Sequence, residues 1–159
     1  MAGIDWTTGL GLAGALGAAL VGGVFFTFSN FVMQALARLP AAQGIAAMQA
    51  INVTAVTPPL MVSLFGTAAV CLGIVVEAAL TWGTPGTALR LLAALLYLLG
   101  VIGVTMLCNV PRNNALAALD PQSTQAAAYW TTYLREWTAW NSVRAVASGL
   151  AVIALLTSR

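Results

Sequence analysis

The sequence has no histidine and no lysine, and its charge is confined to six arginines and four acidic residues in 159 positions. Each absence excludes a class of function. Without imidazole, a haem or transition-metal centre loses its commonest ligand, and Asp5, Glu77, Asp120 and Glu136 are too scattered along the chain to replace it, so no metal is expected. Without basic clusters, neither a nucleic-acid surface nor a polybasic lipid-binding patch can be assembled. The two cysteines, Cys71 within one hydrophobic run and Cys108 at the end of another, are expected at different depths, outside disulfide geometry, as buried packing thiols. No linker, charge run or low-complexity segment divides the chain, which reads as a single membrane domain over 1–159.

What is present is apolar. Hydrophobic residues make up 60% and charged residues 6%, and the mean hydropathy of +0.92 exceeds what a water-soluble surface carries. Four runs approach the roughly 20 residues that cross a bilayer, at 10–33, 59–80, 88–108 and 138–157. Four spans put both termini on one side. The first run has Ala35-x-Ala37 behind it, as a signal peptide would, but it lacks a basic start and its apolar stretch is too long, so it is read as a span.

The connections have structure of their own. AAQGIAAMQAINVTAV is too short to cross and predicts a helix at the membrane surface, with Pro58 and Pro59 opening the second span. TWGTPGT predicts a tight turn that leaves Glu77 and Arg90 near one surface, as an exposed pair of little consequence. After Pro111, Asp120-Pro121 breaks one short helix and Gln122 onward starts another that runs into the fourth span. Trp130, Tyr133, Trp137 and Trp140 flank that span's start and read as an aromatic belt. Small residues spaced by four, Gly9, Ala13 and Gly17 with Ala15, Ala19 and Gly23, predict a close-packing face on the first span. The fold class is therefore all-α: a four-transmembrane-helix bundle with short interfacial helices in the first and third connections. Arg38, Arg112 and Arg135 on the larger-loop side balance Arg90 and Arg159 on the other, so charge does not set the orientation.

In the fourth span Tyr133, Trp137, Asn141, Arg144 and Ser148 recur at intervals of four and three and share one face that lipid would not tolerate. The other spans offer polar groups at similar depth: Thr27, Asn30 and Gln34, then Ser63 and Thr67, then Thr105 and Asn109, with Asn113 and Asn114 just beyond. In an antiparallel bundle all of these converge on the larger-loop side, which predicts a polar pocket opening there. One or two of Phe25, Phe26, Phe28 and Phe31 are expected to line it. The alternative is a set of interhelical hydrogen bonds with Arg144 snorkelling to the interface.

Three segments, GGVFFTFSNFVMQAL, NVPRNNALAAL and WTAWNSVRAVAS, resemble the anthrone-oxygenase-like family of small four-helix membrane proteins. The specific parts are N-V-P-x-N-N and W-x-x-W-N-x-x-R, whose matching positions are Asn109, Pro111, Asn113, Asn114, Trp137, Trp140, Asn141 and Arg144. The family's fungal members are associated with oxidation of anthrones to anthraquinones, and most bacterial members have no assigned function. The resemblance implies a multi-pass protein of a bacterial plasma membrane. Family sequences often carry His after the Asn of the last motif, where this chain has Ser142.

Two readings follow from pocket and resemblance together. One is cofactor-independent oxidation of a lipophilic phenol, anthrone or quinone-like molecule. In it Arg144, Asn141 and Asn109 act on the reacting oxygen, Asn30, Asn113, Asn114 and Tyr133 contribute to binding, and Trp137 or Trp140 stacks on the ring. The other is a noncatalytic accessory subunit or lipid- or quinone-binding protein, within a membrane complex or a homo-oligomer. In either case membrane lipid and a lipophilic aromatic molecule are the expected partners, and nucleic acid is not. A transporter is the third class, weakened because Glu77 and Arg144 lie toward opposite ends.

Overall fold

The structure, a computed structural model, describes residues 6–158. These form five helices: α1 Trp6–Ala37, α2 Ala41–Thr54, α3 Pro58–Leu80, α4 Thr87–Ala117 and α5 Thr124–Thr157. All but α2 are long and apolar enough to cross a membrane. The chain is therefore a multi-pass membrane protein, an all-helical bundle as its hydropathy predicts. Helices satisfy every backbone group internally, which the hydrocarbon interior demands.

Local chemistry sets the boundaries. Thr57 is extended and hands Pro58 and Pro59 to the first turn of α3, where their missing N–H groups cost nothing. Gly83 and Gly86 take φ of 93° and 78° in the turn before α4, a region open to glycine at little cost. Asp120 Oδ1 accepts from the Gln122 backbone, and Ser123 Oγ caps α5 by accepting from Ala126 N at 3.1 Å. The polar stretch after Pro111 is helical to Ala117, continuous with the third span, and α5 runs unbroken from Thr124 through the fourth.

α1 packs on α3 and α5, and α4 packs on the same two, closing a four-helix ring. At 1.5 Å per residue α3 is about 35 Å long while α1, α4 and α5 reach roughly 46 to 51 Å. The three longer helices thus outrun α3 on the larger-loop side. α2 fills the gap: Ile45 and Met48 are fully buried against Met33, Leu36, Leu116, Trp130 and Tyr133. Gln49 Nε2 donates to Leu116 O and Leu119 O at 2.9 Å each, fastening α2 to the end of α4.

The close-packing face of α1 shares only Ala15 and Gly17 with the expected one. A Cβ at Gly17 would collide with Thr67, and one at Gly22 would lie 2.7 Å from Ser148 Cβ, whereas Gly9 and Gly23 have open space and Ala13 and Ala19 are exposed. The stripe that packs is Gly14, Ala15, Gly17, Ala18, Val21 and Gly22. Small residues are so frequent in α1 that spacing alone does not distinguish the two sides. Cys71 is buried and Cys108 half-buried, both unpaired.

A second correction concerns Glu77 and Arg90. They pair, but inside the protein: the side chains are 1% and 12% exposed. Arg90 Nη2 and Nε donate to the two carboxylate oxygens at 2.9 and 3.1 Å, Thr81 Oγ1 donates to Glu77 Oε1, and Arg90 Nη1 reaches Ser158 O at 3.3 Å. One ion pair therefore ties α3, α4 and the end of α5 together. Arg90→Met alone leaves a buried carboxylate without its cation and is expected to lose about 3–5 kcal/mol of stability, while the double change Glu77→Leu with Arg90→Met recovers most of it. Thermal unfolding of the purified variants measures both.

Candidate functional site

The inner face of α5 carries Trp130, Tyr133, Trp137, Asn141, Arg144 and Ser148, all buried. They stand in one row because each follows the last by three or four residues. Three of the four aromatics expected in a membrane-surface belt are instead turned inward, and only Trp140, at 37% exposure, faces out. The rings of Trp130 and Tyr133 stack at 5.5 Å and those of Tyr133 and Trp137 at 6.1 Å. Asn113 Oδ1 accepts from both Tyr133 OH at 2.9 Å and Trp137 Nε1 at 2.7 Å, which fixes the indole plane.

Arg144 sits at the centre, 5% exposed. Its Nη2 donates to Asn141 Oδ1 at 2.7 Å and its Nη1 to Thr105 Oγ1 at 3.2 Å. The guanidinium carbon lies 4.1 Å from the Phe25 ring centroid and 5.4 Å from that of Trp137, a cation–π setting. Asn141 is itself held: its Nδ2 donates to Phe25 O at 2.6 Å and to Ser29 Oγ at 2.7 Å. Asn109 Nδ2 donates to Trp137 O at 3.2 Å.

Wide helical turns place these partners. α1 opens into a π-type turn at Phe28–Val32, where Met33 N reaches back to Phe28 O, and α4 does the same at Thr105–Asn109, where Val110 N reaches Thr105 O. Such turns recur at functional sites, and here they carry Ser29, Thr105 and Asn109. Pro111 follows at once, and the half-buried Arg112 secures that end through Glu136 Oε2 at 2.8 Å and Cys108 O at 2.8 Å.

A cavity of about 170 Å³ lies against this cluster, walled by Phe25 and Phe28 of α1, Met48 and Asn52 of α2, Leu64 of α3, Asn109 and Asn113 of α4, and Trp137, Asn141 and Arg144 of α5. Among the described residues no carboxylate lines it. Glu77 is engaged at the opposite end, Glu136 pairs with Arg112, and Asp120 is in the connection before α5; Asp5 lies outside the described residues. Among the described residues Arg144 thus has no counter-anion. Two buried polar atoms of the lining residues, Arg144 Nε and Asn109 Oδ1, have no partner. Asn52 Nδ2, close to the Tyr133 hydroxyl, has no hydrogen bond of good geometry.

Of the residues singled out from the sequence, Arg144, Asn141, Asn109, Asn113 and Trp137 meet at the cavity, and Tyr133 stands behind Trp137. Asn30, Asn114 and Trp140 do not: all three are exposed. Spacing of three and four identifies residues that share a face without saying which face turns inward. On α1 the inner face is Phe25, Ser29, Met33 and Leu36, so Thr27, Asn30 and Gln34 point away, Thr27 donating to Gly23 O and Gln34 to Asn30 O. Asn113 and Asn114 are adjacent, and a helix turns only one of two neighbours inward. Phe25 and Phe28 line the cavity, whereas Phe26 and Phe31 are exposed. Ser29 and Asn52 were missed; the four-residue step from Met48 to Asn52 on α2 was the available signal for the second.

Residues 48–154, more than half of the chain, match the anthrone oxygenase family. The chain belongs to that family. The matched region takes in NVPRNNALAAL and WTAWNSVRAVAS and begins after GGVFFTFSNFVMQAL. No curated protein and no solved structure matches the chain. The matched region contains four of the cavity's polar side chains, Asn109, Asn113, Asn141 and Arg144. Ser142, where the resemblance expects His, borders a shallow outer groove, its Oγ 2.9 Å from Ser29 Oγ.

Because Asn113 serves two donors, its loss should exceed that of either donor. Tyr133→Phe is expected to destabilise the protein by about 1 kcal/mol, and Asn113→Ala, which strands both the phenol and the indole N–H, by about 2–4 kcal/mol. Unfolding of the two variants side by side tests the order.

Proposed function

We propose that this anthrone oxygenase family member oxidises a lipophilic phenol, anthrone or quinone-like molecule with dioxygen, at the cavity beside Arg144 and within a bacterial plasma membrane. The observation that carries the reading is the Arg144 cation, buried among Phe25, Trp137 and Asn141 with its Nε unpartnered. A desolvated cation favours the anionic form of a ligand oxygen beside it. An enolate or phenolate there is electron-rich and reacts with dioxygen, and Arg144 stabilises the negative charge as it develops. For an anthrone-type methylene the balance is one dioxygen consumed, one oxygen atom entering the new carbonyl and the other leaving as water with the two methylene hydrogens. For a quinol, two electrons and two protons pass to dioxygen and give hydrogen peroxide. Asn109 Oδ1 accepts from a ligand hydroxyl, and Trp137 lies where it stacks on the ring. The reading asks no cofactor of the protein.

The same cavity supports a second reading, a binder of lipid or quinone without turnover. What favours it is that no imidazole or carboxylate base lines the cavity among the described residues. One variant separates the two. Arg144→Ala is expected to lose oxygen uptake by about a hundredfold or more with an alkylhydroquinone as substrate, in protein that stays folded by thermal unfolding. No oxygen uptake by wild-type protein that retains the ligand in an Arg144-dependent way would leave the binding reading in its place.

A further inference from the structure

The cavity's size restricts its occupant more than its polarity does. A closed apolar cavity of ~150 Å³ holds a single benzene ring, and pockets for drug-sized ligands start at roughly 300 Å³. At about 170 Å³ the space beside Arg144 is near the first in volume, with one side open. Three fused rings need substantially more.

The walls resist enlargement on most sides. Met48 is fully buried above the cavity, Asn109 and Asn141 are nearly or fully buried beside it, and the Trp137 indole is backed by Tyr133 and held by Asn113. Below, α1 and α5 approach closely where Gly22 meets the Ser148 side chain, leaving no room for a Cβ on Gly22. The open side is different in kind. Val24 of α1 and Val56 of the α2–α3 connection border the cavity while being 36% and 69% exposed, and Leu60 and Met61 of α3 are half-buried between them. That mouth is apolar and faces acyl chains, since Val24 lies well inside a membrane-crossing helix.

We infer that the site takes a molecule with a single six-membered aromatic or quinonoid ring, whose ionisable oxygen meets Arg144 and whose aliphatic substituent leaves between α1 and the start of α3 into the bilayer. This rests on the reading that Arg144 receives the ligand oxygen. It adds that the family's three-ring anthrones are too large for this member. The unpartnered Asn109 Oδ1 fits a second ring hydroxyl, so an alkylated hydroquinone satisfies both free groups at once.

Binding to the detergent-purified full chain decides it, with decylhydroquinone, hydroquinone and anthrone as probes and Arg144→Ala, Val56→Trp and Met48→Ala as variants. Decylhydroquinone is expected to bind at least about tenfold more tightly than either hydroquinone or anthrone. Val56→Trp, at an exposed position of the mouth, should narrow the path of the substituent and weaken decylhydroquinone more than hydroquinone, shrinking the decyl chain's advantage. Met48→Ala should admit anthrone. Anthrone bound by the wild type as tightly as decylhydroquinone, and released by Arg144→Ala, would overturn the size inference and leave the Arg144 reading intact. If no probe binds in an Arg144-dependent way, both fall.

Discussion

A buried arginine with no carboxylate beside it among the described residues is the constraint on which the larger-loop half of the bundle depends. A charge at that depth costs several kcal/mol unless something compensates it. The chain solves this problem in two ways. Arg90, at the opposite end, has Glu77 in a two-point ion pair and is a structural tie. Arg144 receives only neutral oxygens, from Asn141 and Thr105, and the faces of Phe25 and Trp137. Dipoles and ring faces hold a cation in place without cancelling its charge, which leaves that charge for a ligand.

The rest of the architecture serves this arrangement. α3 stops short of its three neighbours, and α2 folds over the space that results, so the cavity is roofed by Met48 and Asn52 and is not simply an open end of the bundle. The wide turns in α1 and α4 bring Ser29, Thr105 and Asn109 to the same level as Asn141 and Arg144. Asn113 then locks the indole through a bond shared with Tyr133. Each polar group of the network is oriented by another, so the guanidinium is fixed by neighbours that are fixed themselves, the condition under which electrostatic stabilisation is strongest.

Much of this was legible in the sequence, and the failures have one origin. Hydropathy located all four spans because crossing a bilayer requires long apolar helices, and the α5 face was correct because its row of polar and aromatic residues admits only one inward direction. α1 was ambiguous: Thr27, Asn30 and Gln34 share a face as convincingly as Phe25, Ser29 and Met33, and only contact with α5 selects the second. Gly22 was hidden in the same way among the many small residues of α1. The burial of Glu77 depended on Arg90 reaching it from another helix and being held in turn by Ser158 O, information that no local pattern carries. Asn52 escaped notice because α2 was expected to lie on the membrane surface, and its inner side forms only once the longer helices have outrun α3.

The most direct measurement is the ionisation state of a bound phenol whose colour changes on deprotonation, such as 4-nitrophenol carrying an alkyl chain, read by absorbance at a pH where the free compound is neutral. The account predicts that the wild-type protein binds it as the coloured anion, because the Arg144 cation lowers its pKa, and that Arg144→Gln abolishes the colour. A probe that stays neutral when bound to the wild type, or ionises equally in the variant, would contradict it.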